Sequence, residues 1–361
     1  MKKNPTALSG EWAAKTILVL ALMLLPALAC FGKGKTQPAS TEPAAATPAG
    51  GADSVEYPIV IRHAFGETVI KSKPQRVATI QWANQDVALA LGVVPVGFSA
   101  ANYGVLDDSG ILPWTAKKLE ELGVKNPNVF RDTDGLDFEA IADCRPDIIL
   151  AAYSGITKED YDLLTQIAPV VAYPSKPWVT TWREQILYNA RGMGLEAEGR
   201  RYIAELEALI AAKVAEHPEI KGAKITWVNF SATDMSQFHI YTLVDPRGSF
   251  LTGELGMEYP ASVLNAISDP TVYSMRFSAE SADVLNDLDV IIGYGGEELY
   301  KAIKADLVYG SIPAIQKGAV VFIDDLTLSA AGTPGPLSIP YTIDAYISLI
   351  AAAVQKSNGQ N

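Results

Sequence analysis

One helical stretch organises this chain. Residues 196–217 run for about 22 positions with a single early glycine, Gly199, and no proline before Pro218. Tyr202, Leu206, Leu209, Ile210, Lys213 and Val214 are spaced to share one face. At roughly 1.5 Å per residue this is a rod of about 30 Å, long enough to cross between two compact bodies. On both sides of it strands alternate with helices, the pattern of mostly parallel, helix-covered sheets. Ahead of it, 57–63 and 68–70 read as a hairpin, 76–80, 93–98, 147–152 and 170–173 as strands, and 84–91, 136–143, 158–167 and 182–193 as helices. Behind it, 224–230, 239–244, 290–293 and 319–323 read as strands, and 250–255, 281–288, 297–305 and 341–354 as helices. The expected fold is therefore α/β: two α/β lobes with mostly parallel sheets, at 55–195 and 218–361, joined by one long rigid helix at 196–217, with a cleft between the lobes.

The start of the chain is a different kind of sequence. Lys2, Lys3 and Lys15 precede an apolar run, and residues 16–29 make up 14 positions that end at Cys30. A basic head, an apolar middle and small residues before a break form an export signal over 1–29. The run is short for a bilayer span of about 20 residues. A cysteine at the cut favours lipidation of Cys30; Ala27-Leu28-Ala29 also suits ordinary A-x-A cleavage at the same bond. Residues 30–54 are rich in Ala, Pro, Thr and Gly and cannot bury enough apolar surface to offset their ordering entropy, so they read as a leash. Removing residues 1–29 takes away three Lys and one Glu and moves the net charge from −12 to −14. That acidity argues against nucleic acid as a partner. Of the two cysteines, Cys144 reads as a small buried residue, and no C-x-x-C occurs.

Enzyme signatures are missing: there is no G-x-S-x-G, no H-E-x-x-H and no phosphate loop. His63, His217 and His239 are far apart in sequence, and no metal-ligand spacing is present. Asp107-Asp108 and Asp324-Asp325 read as turn residues. The aromatic residues are more informative. In open α/β sheets ligands gather beyond the carboxyl ends of the strands. Trp82, Tyr153 and Tyr294 each follow such an end, and Trp178 and Trp182 follow the strand at 170–173. A cleft walled by Trp and Tyr suits a bulky organic ligand.

Several runs carry a family resemblance. Pro74-Gln-Arg-Val-Ala-Thr-Ile with Asp86-Val-Ala-Leu-Ala-Leu-Gly-Val-Val-Pro-Val-Gly-Phe resembles the opening of the solute-binding proteins that serve ABC importers of iron-siderophores and vitamin B12. Leu136-Asp-Phe-Glu-Ala-Ile-Ala-Asp-Cys-Arg-Pro-Asp-Ile-Ile-Leu is similar to their second signature, and Phe277-Ser-Ala-Glu with Leu285-Asn-Asp-Leu-Asp-Val-Ile-Ile to that of their second lobe. The resemblance implies a monomeric, membrane-anchored extracytoplasmic receptor that is not an enzyme. It would hand a ferric siderophore to an importer permease and need no cofactor of its own, because iron arrives inside the chelate. It implies importer-docking carboxylates, matched here by Asp86, where Glu is commoner, and by Asp245 or Glu254. It also implies a cleft guanidinium, for which Arg276 is the first choice; Arg183, Arg131 and Arg247 are weaker candidates that read more simply as surface residues. An aromatic cleft on an acidic chain favours hydroxamates. Haem, with Tyr153 or Tyr294 as an axial ligand, cobalamin, and an exported enzyme are the alternatives.

Overall fold

The structure, a computed structural model, describes residues 55–132 and 134–359. The expected export signal, Cys30 and the leash lie outside these residues.

A hairpin of β1 (Ile59–His63) and β2 (Gly66–Ile70) opens the described chain. Next come β3 (Val77–Thr79), β4 (Gly97–Ser99), β5 (Val129–Phe130), β6 (Ile148–Ala151) and β7 (Val170–Ala172). They form one sheet in the order β5-β4-β3-β6-β7, parallel throughout. Every residue of β3, β6 and β7 is buried, which is why these strands read as continuous apolar runs.

The second sheet contains β8 (Ile225–Ser231), β9 (Asp234–Tyr241), β10 (Ser274–Ser278), β11 (Val290–Tyr294) and β12 (Val320–Ile323), in the order β10-β9-β8-β11-β12. Its β8, β11 and β12 run parallel. On its other side β9 is antiparallel to both β8 and β10. Strand β9 starts at Asp234 rather than 239, because Ser231 and Asp234 face each other across a two-residue turn. The expected helix at 250–255 is a π-type turn, Phe250–Glu254, which continues the short helix Pro246–Ser249. Strand β10 and the helices Pro113–Glu121 and Leu326–Ala331 were not expected.

The long helix spans Glu196–Ala215. It packs on helix Trp182–Gly192 of the first lobe and on the C-terminal helix Ser338–Ser357. Gly199 permits the first crossing: a Cβ there would lie 2.5 Å from Ala190 Cβ. Leu206 and Ile210 join Ile186 and Met193 on one side and Ile347 and Ile350 on the other in one continuous apolar core. A smaller core couples the lobes again, where Ala330, Ala331 and Leu337 meet Leu112, Trp114 and Leu119. No described helix is long and apolar enough to cross a membrane.

Candidate functional site

Between the lobes, at the carboxyl ends of the parallel strands, lies a cleft of about 500 Å³. The first lobe contributes Trp82, Tyr103, Tyr153 and Trp178. Trp82 stands between two non-glycine residues with left-handed backbone, Gln81 (φ 63°) and Ala83 (φ 57°). Such a turn costs energy and survives where neighbours enforce it. The Gln81 amide donates to Ser99 Oγ (2.8 Å), and its Oε1 accepts from Gly155 N (3.3 Å).

Behind the turn, buried Asn84 uses both ends of its amide. Its Nδ2 donates to the Ile80 carbonyl (2.8 Å) and the Tyr153 carbonyl (2.9 Å). Its Oδ1 accepts from Tyr153 N (3.1 Å) and Asn189 Nδ2 (2.8 Å). Gln185 Nε2 donates to the Trp82 carbonyl (3.1 Å). This buried network, in which Asn189 Oδ1 has no hydrogen-bond partner among the described residues, fixes the two loops that carry Trp82 and Tyr153. Trp178 (φ 63°) lies edge-on to Tyr153, with ring centres 5.3 Å apart. Its indole rests on Gly155, where a Cβ would fall 2.4 Å from Nε1.

The second lobe contributes Tyr241 at the end of β9, Tyr294 at the end of β11, Asp245 at the cap of helix Pro246–Ser249 and Arg247 in that helix's first turn. Arg247 Nε donates to Tyr294 Oη (2.8 Å), and the guanidinium lies over the Tyr241 ring at 4.3 Å. Arg247 Nη1 donates to both carboxylate oxygens of Asp245 (2.9 and 2.8 Å). The Asp245 carboxylate also caps its helix by accepting the Arg247 main-chain N–H (2.8 Å). Burial pushes the Asp245 carboxyl up, and the guanidinium opposes it; the ion pair in turn holds Arg247 well above its ordinary range. Burial raises the phenols as well, Tyr241 to about 12 and Tyr153 and Tyr294 in the same direction. At neutral pH these phenols are protonated. The site offers aromatic contact surface, hydroxyls and one guanidinium. Across the mouth, half-exposed Tyr103 meets Tyr294 edge-to-face at 5.9 Å.

Residues 77–326 match the family model described as periplasmic binding protein. The chain belongs to this family. It is similar to Streptococcus pneumoniae TIGR4 PiaA, solved in complex with ferrichrome: 50% identity, TM-score 0.79, covering 82% of this chain and 99% of that one. A periplasmic solute binding protein from Mycobacterium smegmatis is 25% identical with a TM-score of 0.66, covering 82% of this chain and 98% of that one. A Bacillus subtilis (strain 168) relative, "Probable siderophore-binding lipoprotein YfiY", is 21% identical over 290 residues, 75% of this chain and 82% of that one.

Against this geometry the residues expected from sequence divide cleanly. Trp82, Tyr153, Trp178 and Tyr294 line the cleft. Trp182 does not: it is buried at the first turn of its helix, under Arg183 at 4.2 Å, with Nε1 donating to Glu254 (3.3 Å). Arg276 is exposed on edge strand β10 and is not part of the cleft lining; the cleft guanidinium is Arg247. Arg183 is no free surface residue either, because it pairs with Glu207 and Glu254.

The docking carboxylates are also corrected. Asp86 is fully buried and accepts from Trp114 Nε1 (2.8 Å) and Thr115 Oγ1 (2.7 Å). Asp245 is buried on Arg247. Glu254 is held by Arg183 and its side chain is 13% exposed. None of the three offers a free carboxylate to a partner.

Tyr103 and Tyr241 escaped the sequence reading, and Arg247 ranked there behind Arg276 as a surface residue. For Arg247 a signal existed: Asp245-Pro246 is a helix start, with Asp as cap and Pro in the first turn, and it follows a strand end. Cys144 is buried with a free thiol. His63 bonds Thr68, while His217 bonds Glu219. Among the described residues no group of three or more His, Cys, Asp or Glu side chains is placed to hold a metal.

Proposed function

We propose that this protein is the extracytoplasmic solute-binding component of an ABC importer, and that it captures a ferric siderophore of the hydroxamate type. The observation that carries this is the cleft itself: a wall of Trp and Tyr around a single guanidinium, on a chain half identical to a protein solved with ferrichrome. Iron enters coordinated by the chelate's oxygens, so the protein supplies contact area and hydrogen bonds rather than metal ligands. The chain works as a monomer, held at the membrane through lipidated Cys30, in keeping with the export signal and with a relative named as a lipoprotein.

Tryptophan quenching with ferrichrome, ferrioxamine B, ferric enterobactin, haem and cobalamin tests this reading. Ferrichrome or ferrioxamine B should saturate the signal. Trp178→Ala should weaken the bound chelate roughly 30-fold, since truncating a buried aromatic anchor costs about 2 kcal/mol. Saturation by haem or cobalamin alone overturns the reading.

A further inference from the structure

Among the described residues lining the cleft, the only charged side chains are Asp245 and Arg247. They neutralise each other. Asp245 is 1% exposed, and among the described residues all its side-chain hydrogen bonds are to Arg247. Arg247 spends Nε on Tyr294 and Nη1 on Asp245, and one face of its guanidinium lies on Tyr241. Its Nη2 has no protein hydrogen-bond partner among the described residues. The guanidinium therefore presents N–H donors to the cleft without a net charge behind them.

We propose that Asp245 is a specificity-determining residue: by holding Arg247 as a neutral pair it makes the cleft indifferent to anionic charge, so that it takes neutral ferric chelates and gives polyanionic ones no electrostatic advantage. This rests on the siderophore reading above. An unpaired guanidinium in such a cleft would do the opposite, because charge-assisted hydrogen bonds to oxyanions are about twice as strong as neutral ones. A polyanion entering a neutral aromatic cleft loses hydration that nothing there replaces.

Asp245 is also a helix cap, so the test must separate charge from architecture. Asp245→Asn keeps an oxygen for the cap and removes the charge. Two probe pairs hold the scaffold nearly constant: ferrioxamine B, a cation, with its N-succinyl derivative, an anion; and neutral ferrichrome with an analogue carrying three free carboxylates. Calorimetry reads the ratio of affinities within each pair. In wild type the ferrioxamine pair should agree within about threefold. Asp245→Asn should raise anion over cation by on the order of tenfold, the size expected for one uncovered charge at partial screening. The double variant Asp245→Asn/Arg247→Gln should return the ratio to the wild-type range, which a purely architectural role would not do.

A wild-type ratio already favouring the anion tenfold overturns the neutral-pair proposal, even if the single variant does not fold. So does an unchanged ratio in a folded Asp245→Asn. Failure of wild type to bind either parent chelate instead overturns the siderophore reading, and this proposal with it.

Discussion

At the scale of single residues, Asp86 is the clearest case of a group whose role follows from where it is put. It sits in helix Asn84–Ala90, fully buried. Trp114 and Thr115 donate to it, and among the described residues no basic group pairs with it. Burial pushes its carboxyl up from 3.8 to about 7, against those hydrogen bonds. The unfolded chain ionises this group near pH 4, while the folded chain keeps its proton to about pH 7. Between those values the native state binds more protons, so stability falls as pH rises. At about 1.4 kcal/mol per unit, the loss is on the order of 4 kcal/mol. Asparagine can replace the protonated acid: its oxygen accepts from Trp114 and its NH2 donates to the Thr115 hydroxyl. Asp86→Asn should match wild type near pH 4 and exceed it at pH 8, as urea denaturation at the two pH values will show. Equal pH slopes for the two proteins would contradict the shift. None of this was legible in the sequence, where Asp86 read as a surface carboxylate. Its burial is set by Trp114 and Thr115, from a helix nearly thirty residues away.

At the scale of elements, legibility followed local pattern. The strands of the parallel sheet announced themselves as apolar runs, and the long helix as an unbroken stretch. Strand β10 was missed because Ser274-Met-Arg-Phe-Ser lies at an edge with its polar residues partly or fully exposed. Helix Leu326–Ala331 was missed because it is one short turn capped by Asp325. Strand ends placed Trp82, Tyr153, Trp178 and Tyr294 at the site, but Tyr103 arrives on a loop whose path no local rule predicts. Trp182 shows the same limit: a capping box made by Thr181 and Glu184 fixes its helix start and leaves the indole against Glu254. That contact belongs to a three-way tie. Arg183, on helix Trp182–Gly192, donates to Glu207 of the long helix (2.6 Å) and grips Glu254 of the second lobe through Nη1 and Nη2. Arg183→Gln would leave a largely buried carboxylate with Trp182 as its remaining partner. Because the Arg183 side chain is 37% exposed, solvent screening limits the loss to about 1–2 kcal/mol. Pairing it with Glu254→Gln in a double-mutant cycle should give a coupling of at least about 0.5 kcal/mol. Strict additivity would mean that the tie contributes nothing.

At the scale of the whole molecule, the long helix and the tie act together. A continuous helix resists bending because each interior peptide is hydrogen-bonded to its neighbours along the axis, and the Arg183 tie closes one flank of the joint. Tyr202 Oη, on the same helix, donates to the Pro336 carbonyl at 2.7 Å and secures the segment that crosses between lobes. Ligand should therefore shift the lobes by only a few ångströms. Small-angle scattering curves for free and loaded protein should nearly superimpose, and a change typical of wide closure would refute this. The apolar core has a further consequence. It runs without a break from Ile61 and Ile148, through Leu206 and Ile210 of the long helix, to Trp227 and Ile347. Two sheets suggest two separable folding units, but separating the lobes would expose each one's share of that core to water. The described residues should therefore unfold as one cooperative unit, with coincident denaturation transitions for probes in either lobe, and residues 55–195 expressed alone should not fold as stably as they do in the full chain.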